Sequence, residues 1–220
     1  MMKLLLVLSM SIFVMMASAC SYALSSNDEG TYSVKFKPKS TQGELDGCML
    51  EYAATYNDHV YHHGDVYVIS GFVGVYFLKD SLALVLKAGH AKLDPKIKIE
   101  KPYFVFAKAG GLSTAKFKGN STINEKNFKL SIFSVFENIE IMDFVDSMIS
   151  SKTFSIGYNL KEGGMDVVVP IDLTVKETAI TNDRGYVRFS SDEMLGSFVA
   201  CYSELLDKQM EVAKNIIGKP

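Results

Sequence analysis

Tryptophan is absent from the 220-residue chain, and arginine occurs only at Arg184 and Arg188. With two guanidinium groups among 23 basic side chains, bidentate clamps for phosphate or carboxylate are scarce. Charge of one sign is missing as well. The 25 acidic residues leave a net charge of −2, which withholds the electrostatic footprint a phosphate backbone requires, so no nucleic-acid partner is expected. No apolar run reaches the roughly 20 residues that a membrane-spanning helix needs. The catalytic signatures Gly-X-Ser-X-Gly, P-loop, His-Glu-X-X-His and strand-linked Gly-X-Gly-X-X-Gly are also lacking, so no cofactor is expected and no catalytic residue is assigned. A triad assembled from distant residues leaves no such local trace, which keeps a hydrolase with a dispersed site as a third reading.

What is present begins at the N-terminus. Lys3 precedes an uncharged stretch from Leu4 to Met16, followed by the small residues Ala17, Ser18 and Ala19, which is the pattern of a secretory signal peptide over 1–19. Two processing readings stay open. Ala17-Ser18-Ala19-Cys20 resembles the lipobox of bacterial lipoproteins, which makes Cys20 a lipidation candidate. Ordinary cleavage after Ala19, or after Ala23, leaves a soluble mature chain instead. Residues 20–30, rich in Ser, Asn, Asp and Glu, form a tether, and 31–220 read as one domain without repeats or linkers. The expected address is extracytoplasmic: periplasmic or secreted, touching a membrane only through an N-terminal lipid.

The chain holds three cysteines, Cys20, Cys48 and Cys201. With Cys20 lipidated or removed, an even pair remains in an oxidising compartment, and a Cys48–Cys201 disulfide is expected to tie the first strands to the last helix. From residue 31 to 135 the hydrophobic period is two. Tyr32 to Phe36, Cys48 to Tyr56, Val66 to Ile69, Val75 to Leu78, Leu82 to Leu86, Tyr103 to Ala107, Ser113 to Lys118 and Phe128 to Ile132 are the expected strands of an antiparallel meander.

The period then changes to that of a helix. Over Asn138–Lys152 the positions Ile141, Phe144, Val145, Met148 and Ile149 make an amphipathic stripe. Strands follow at Phe154 to Tyr158, Val167 to Leu173, where Pro170 implies an edge or a bulge, and Tyr186 to Phe189. Ser190 with Glu193 reads as a capping box opening a closing helix whose face is Leu195, Phe198, Val199, Tyr202, Leu205 and Leu206. The expected class is α+β: mainly antiparallel, sandwich-like β with a middle helix and a C-terminal helix packed on the sheet.

Candidate chemistry is sparse. Asp58-His59-Val60-Tyr61-His62-His63-Gly64-Asp65 places three of the four histidines within five residues, and on an extended strand His59, Tyr61 and His63 would share a face. His59, His62 and His63 are candidate metal ligands, yet no further ligand stands at a diagnostic spacing, so an ordinary solvated turn is the expected reading ahead of a metal site or a pH-sensitive loop, and no metal is expected. Ser113-Thr114-Ala115-Lys116 fits Ser-X-X-Lys but sits in a strand pattern that throws the two side chains apart. Asp143 and Asp146 lie opposite an apolar stripe, and Asn120-Ser121-Thr122 is formally a glycosylation sequon. Lys35, Lys37 and Lys39, then Lys92, Lys96, Lys98 and Lys101, read as solvated faces, edge guards or a patch for an acidic partner. Tyr61, Tyr67 and Tyr76 are either interface anchors or core.

Phe144 to Lys152 leading into Phe154-Ser155-Ile156, the Val167 to Leu173 strand, Phe198-Val199-Ala200-Cys201 and the earlier Cys48-Met49-Leu50 together resemble the invasion-associated locus B family. The resemblance implies a small exported bacterial β-rich protein without an assigned catalytic site, linked to host-cell interaction or envelope functions, and it carries over no functional residue. The functional expectation is an exported non-enzymatic protein that binds another macromolecule, a protein or an envelope component. The alternative is a periplasmic inhibitor or immunity protein against a cell-wall- or membrane-active enzyme.

Overall fold

A computed structural model describes residues 29–78, 81–92, 102–116, 124–125, 128–135, 138–180 and 186–217. The expected signal segment, Cys20, Ala23, Asn120 and the lysines at 96, 98 and 101 lie outside the described residues, as does the tether up to residue 28. Its last residue, Gly30, already belongs to the first strand.

Four long strands form an antiparallel meander: β1 (Gly30–Thr41), β2 (Glu44–Asp58), β3 (Asp65–Leu78) and β4 (Ser81–Lys92). Two short strands follow, β5 (Phe104–Ala109) and β6 (Leu112–Ser113), then β7 (Asn124–Glu125) and β8 (Phe128–Val135). Helix α1 (Asn138–Ser151) leads into β9 (Thr153–Asn159) and β10 (Val167–Asp172). The chain ends with β11 (Val175–Ile180), β12 (Tyr186–Ser190) and α2 (Glu193–Ile217). These strands make a six-stranded sheet β1-β2-β3-β4-β8-β7, a four-stranded sheet β10-β9-β5-β6 and the β11-β12 ribbon. The α+β expectation with a C-terminal helix on the sheet is what the chain adopts.

Period two decides what faces inward. In β2 the residues Cys48, Leu50, Tyr52, Ala54 and Tyr56 are buried while Met49, Glu51 and Ala53 are less so. They meet Val105, Ala107, Phe154, Ile156 and Tyr158 of the smaller sheet in one core, with the Tyr52 and Phe154 rings edge to face at 5.4 Å. Helix α1 adds Ile141, Phe144, Val145 and Met148, and α2 adds Leu195, Phe198, Tyr202 and Leu205. The expected disulfide is present: Cys48 in β2 and Cys201 in α2 are bonded across a Cα separation of 5.9 Å, closing a loop of 153 residues.

Several sequence expectations need correction. Val66 to Ile69 and Val75 to Leu78 are one strand, because Gly71 and Gly74 are points of close approach and not turns. A Cβ on Gly71 would stand 1.7 Å from the carbonyl oxygen of Lys87, and one on Gly74 would stand 2.9 Å from that of Cys48. The Ser113 to Lys118 strand shrinks to the two residues of β6. The ribbon strand β11 has no counterpart in the sequence reading. The capping box is also displaced, since Ser190 ends β12 opposite Val175 and the hydroxyl of Ser191 accepts the Glu193 N–H at 3.2 Å. Pro170 does sit on an edge strand, as expected.

The outer face of the smaller sheet shows how a glycine can be fixed by its neighbour. Phe106 lies directly across from Gly157, and its ring covers the glycine at 2.1 Å from where a Cβ would be. The ammonium groups of Lys108 and Lys116 stand 5.4 and 5.3 Å from the ring centroid. Gly157→Ala is expected to destabilise the fold by about 1–3 kcal/mol, because the ring must leave its seat. Urea unfolding measures the loss, and Phe106→Leu in the same chain is expected to return part of it.

Candidate functional site

The inward series of β2 ends on a carboxylate. Continuing Cys48, Leu50, Tyr52, Ala54 and Tyr56 by two residues reaches Asp58, which is fully buried. A buried charge requires compensation, and Asp58 receives four hydrogen bonds. Its Oδ1 accepts the backbone N–H groups of Val60 at 3.0 Å and Tyr61 at 2.9 Å, closing the turn that leaves β2. Its Oδ2 is 2.7 Å from Nδ1 of His62 and accepts the hydroxyl of Tyr158 at 3.1 Å. Since the one proton of Tyr158 goes to the carboxylate, Tyr56 donates to the Tyr158 oxygen at 2.8 Å. The backbone joins in: His62 and Gly64 donate their N–H groups to the Asp58 carbonyl.

The environment tunes these groups in opposite directions. Burial pushes the Asp58 carboxyl up, but the Tyr61 N–H, the His62 imidazole and the Tyr158 hydroxyl together hold it below the usual carboxylate range. Burial pushes the Tyr56 and Tyr158 hydroxyls up, and their proximity to Asp58 adds to that. Both phenols therefore stay protonated as donors in a relay that runs from the half-exposed His62 into the core. The His62 ring lies 4.8 Å from that of Tyr67, which fixes its plane.

The chain is not extended through the histidines, so His59, Tyr61 and His63 do not share a face. The strand stops at Asp58 and residues 59–64 turn back, with His63 at φ 54° and Gly64 at φ 91°. His59 and His63 face solvent while His62 turns inward to Asp58. Among the described residues no three His, Cys, Asp or Glu side chains converge on a metal-sized site.

Other candidates are separated as well. Lys116 is held by both oxygens of Asp166 at 2.8 Å, while the Ser113 hydroxyl donates to the Thr114 carbonyl, so the Ser-X-X-Lys pair does not meet. A pocket of about 130 Å³ brings Ser113, Thr114 and Asp143 against Leu84, Leu112, Ile141 and Phe144, and among the described residues no histidine lines it. Asp143 and Asp146 are exposed. Tyr67 is core, and Tyr61 is half-buried with its hydroxyl donating to the Met165 carbonyl. Half-buried Tyr76 donates to the Met49 sulfur. Lys35, Lys37 and Lys39 are exposed on the edge strand β1, and Lys37 pairs with Glu51 at 2.8 Å.

Residue types at β2 did not reveal Tyr56 and Tyr158 as partners of Asp58. The available signal was the period itself, which places Asp58 inside. Comparison of the chain with protein-family models, curated proteins and solved structures finds no significant match.

Proposed function

We propose that this chain is an exported, non-enzymatic bacterial protein that binds another macromolecule in the envelope or outside the cell. The buried Cys48–Cys201 disulfide carries the reading, because such a bond persists in oxidising compartments. It agrees with the Lys3-led apolar N-terminus. No helix among the described residues is long and apolar enough to cross a membrane. The Asp58–His62–Tyr158–Tyr56 relay supports a structural use of this buried carboxylate–imidazole pair, since its hydrogen bonds close the turn leaving β2 and join it to β9. Kinship with the invasion-associated locus B family, proposed from the Cys48 strand and the Cys201 helix, points to the same class.

Intact mass of the mature chain from membrane and soluble fractions, alkylated with and without reductant, tests this. The expected mass begins at Cys20, with or without acyl chains, or at Leu24, and shows two alkylatable thiols at Cys48 and Cys201 only after reduction. An uncleaved cytoplasmic chain with both thiols free would refute the exported reading.

A further inference from the structure

Period two gives the meander β1–β4 a second face. Positions alternating with the buried series fall in rows across the strands: Lys35, Glu51, Phe72 and Lys87 in one, Lys37, Met49 and Gly74 in the next, and Lys39, Gly47 and Tyr76 in the third. The smaller sheet and both helices take the other face, where Leu50, Val73 and Leu86 are fully buried. Met49, Phe72 and Tyr76 stand outside that core and are half-buried.

On this outer face one aromatic ring is laid flat. A Cβ on Gly47 would stand 2.6 Å from Cδ1 and 2.9 Å from Cε1 of Tyr76, and a Cβ on Gly74 would stand 2.9 Å from Cε2 on the opposite side of the ring. Both sides of the ring therefore rest on glycine, one on β2 and one on β3, and the remaining π-face points away from the sheet. The hydroxyl is pinned by donating to the Met49 sulfur at 3.5 Å. The Phe72 ring stands 6.3 Å away, with the Lys87 ammonium 5.9 Å from its centroid. Four lysines border these rings, and Glu51 is the one carboxylate in the three rows. Lys37 engages it at 2.8 Å, so the face keeps a positive excess on a chain whose net charge is −2.

We infer that this face binds an acidic polysaccharide, with a sugar ring stacked on Tyr76 and its carboxylates against Lys35, Lys39 and Lys87. This rests on the reading that the chain binds a macromolecule of the envelope or outside the cell, and names its class. Ring and charge together select the occupant. A pyranose ring offers a flat C–H face to the Tyr76 plate, hydroxyls to Glu51 and Lys37, and, in a uronic acid, the carboxylate that the lysine excess attracts. Protein interfaces deplete lysine at their centres and rely on protruding anchors, whereas the rings here lie low between lysines. Spacing adds a further constraint. Lys35, Lys37 and Lys39 succeed one another along β1 at about 7 Å, which follows an extended polyanion and does not clamp a single small anion.

The test uses the mature oxidised protein and fluorescein-labelled hexamers of galacturonate and of mannuronate. Fluorescence polarisation is expected to saturate with at least one of them, and its methyl-esterified twin, which keeps the rings and loses the charge, to bind at least tenfold more weakly. Tyr76→Leu, which leaves the two glycines covered, and the exposed double variant Lys35→Gln, Lys39→Gln are each expected to weaken the acidic hexamer at least fivefold at unchanged melting temperature. Should Tyr76→Leu not fold, shifts of the Tyr76 ring protons on titrating the hexamer into the wild type decide in its place, and their absence overturns the stacking. Hexaglutamate or an oligothymidylate binding as tightly as the hexamer overturns the saccharide assignment, as does adsorption to anionic vesicles by a protein that binds no hexamer. Failure of both hexamers overturns the site. A cytoplasmic, reduced chain that still binds the hexamer removes the exported reading and leaves this face standing; an exported, oxidised chain that binds neither does the reverse.

Discussion

Breaking the Cys48–Cys201 bond is expected to lower the unfolding free energy by about 5 kcal/mol, the upper bound that loop-closure entropy gives for a closed loop of 153 residues. For a domain of this size each kcal/mol moves the melting temperature by about 2–4 °C, so reduction should lower it by about 10–20 °C. Helix α2 remains attached in the reduced protein, because Leu195, Phe198, Tyr202 and Leu205 are buried independently of the sulfur atoms. The loss should therefore appear as weaker global unfolding and not as release of the helix. Thermal unfolding followed by circular dichroism, with and without reductant, and on a Cys48→Ala, Cys201→Ala double variant, checks this. A shift of only 1–2 °C would mean that the core alone fixes α2.

That bond was legible in the chain because cysteine arithmetic and the helical stripe place Cys201 on the border of an apolar face and Cys48 on an inward strand position. Helix α1 was equally legible: Ile141, Phe144, Val145 and Met148 keep a clean 3.6 period, and all four are buried. The strand through Gly71 was not. Glycine punctuates turns and also permits close backbone approach, and only the neighbouring Lys87 carbonyl distinguishes the two uses. The ribbon escaped for another reason. Much of Val175–Ile180 faces solvent, so the strand carries little hydrophobic alternation, and it is held through Thr178 and the cross-strand residue Arg188 bonding to the carbonyls of β1. The histidine segment was legible as a turn, but residue identity did not separate its three imidazoles: the turn geometry, set by Asp58 accepting the Val60 and Tyr61 N–H groups, sends His62 inward and the other two out.

Asp58→Ala is expected to destabilise the protein by about 2–5 kcal/mol, because each buried donor left without its acceptor costs about 1–3 kcal/mol. Two backbone donors in the turn, the His62 ring and the Tyr158 hydroxyl lose their acceptor together. Asp58→Asn should lose less, because its side-chain oxygen still accepts the turn N–H groups. Tyr158→Phe should lose about 1–3 kcal/mol, as one hydrogen bond to a charged acceptor disappears and Tyr56 is left without its oxygen.

The pH dependence follows from the direction of the Asp58 shift. A carboxyl held below its unfolded value binds fewer protons folded than unfolded, so it stabilises the fold fully above about pH 4 and loses that contribution as pH falls through the lowered folded value. Urea unfolding from pH 6 down to pH 2 should therefore show stability falling below about pH 4 in the wild type and a flatter acid limb in Asp58→Asn. Identical acid limbs would mean that the carboxylate is not ionised in the fold, and that the four donors around it are satisfied by a neutral acid instead.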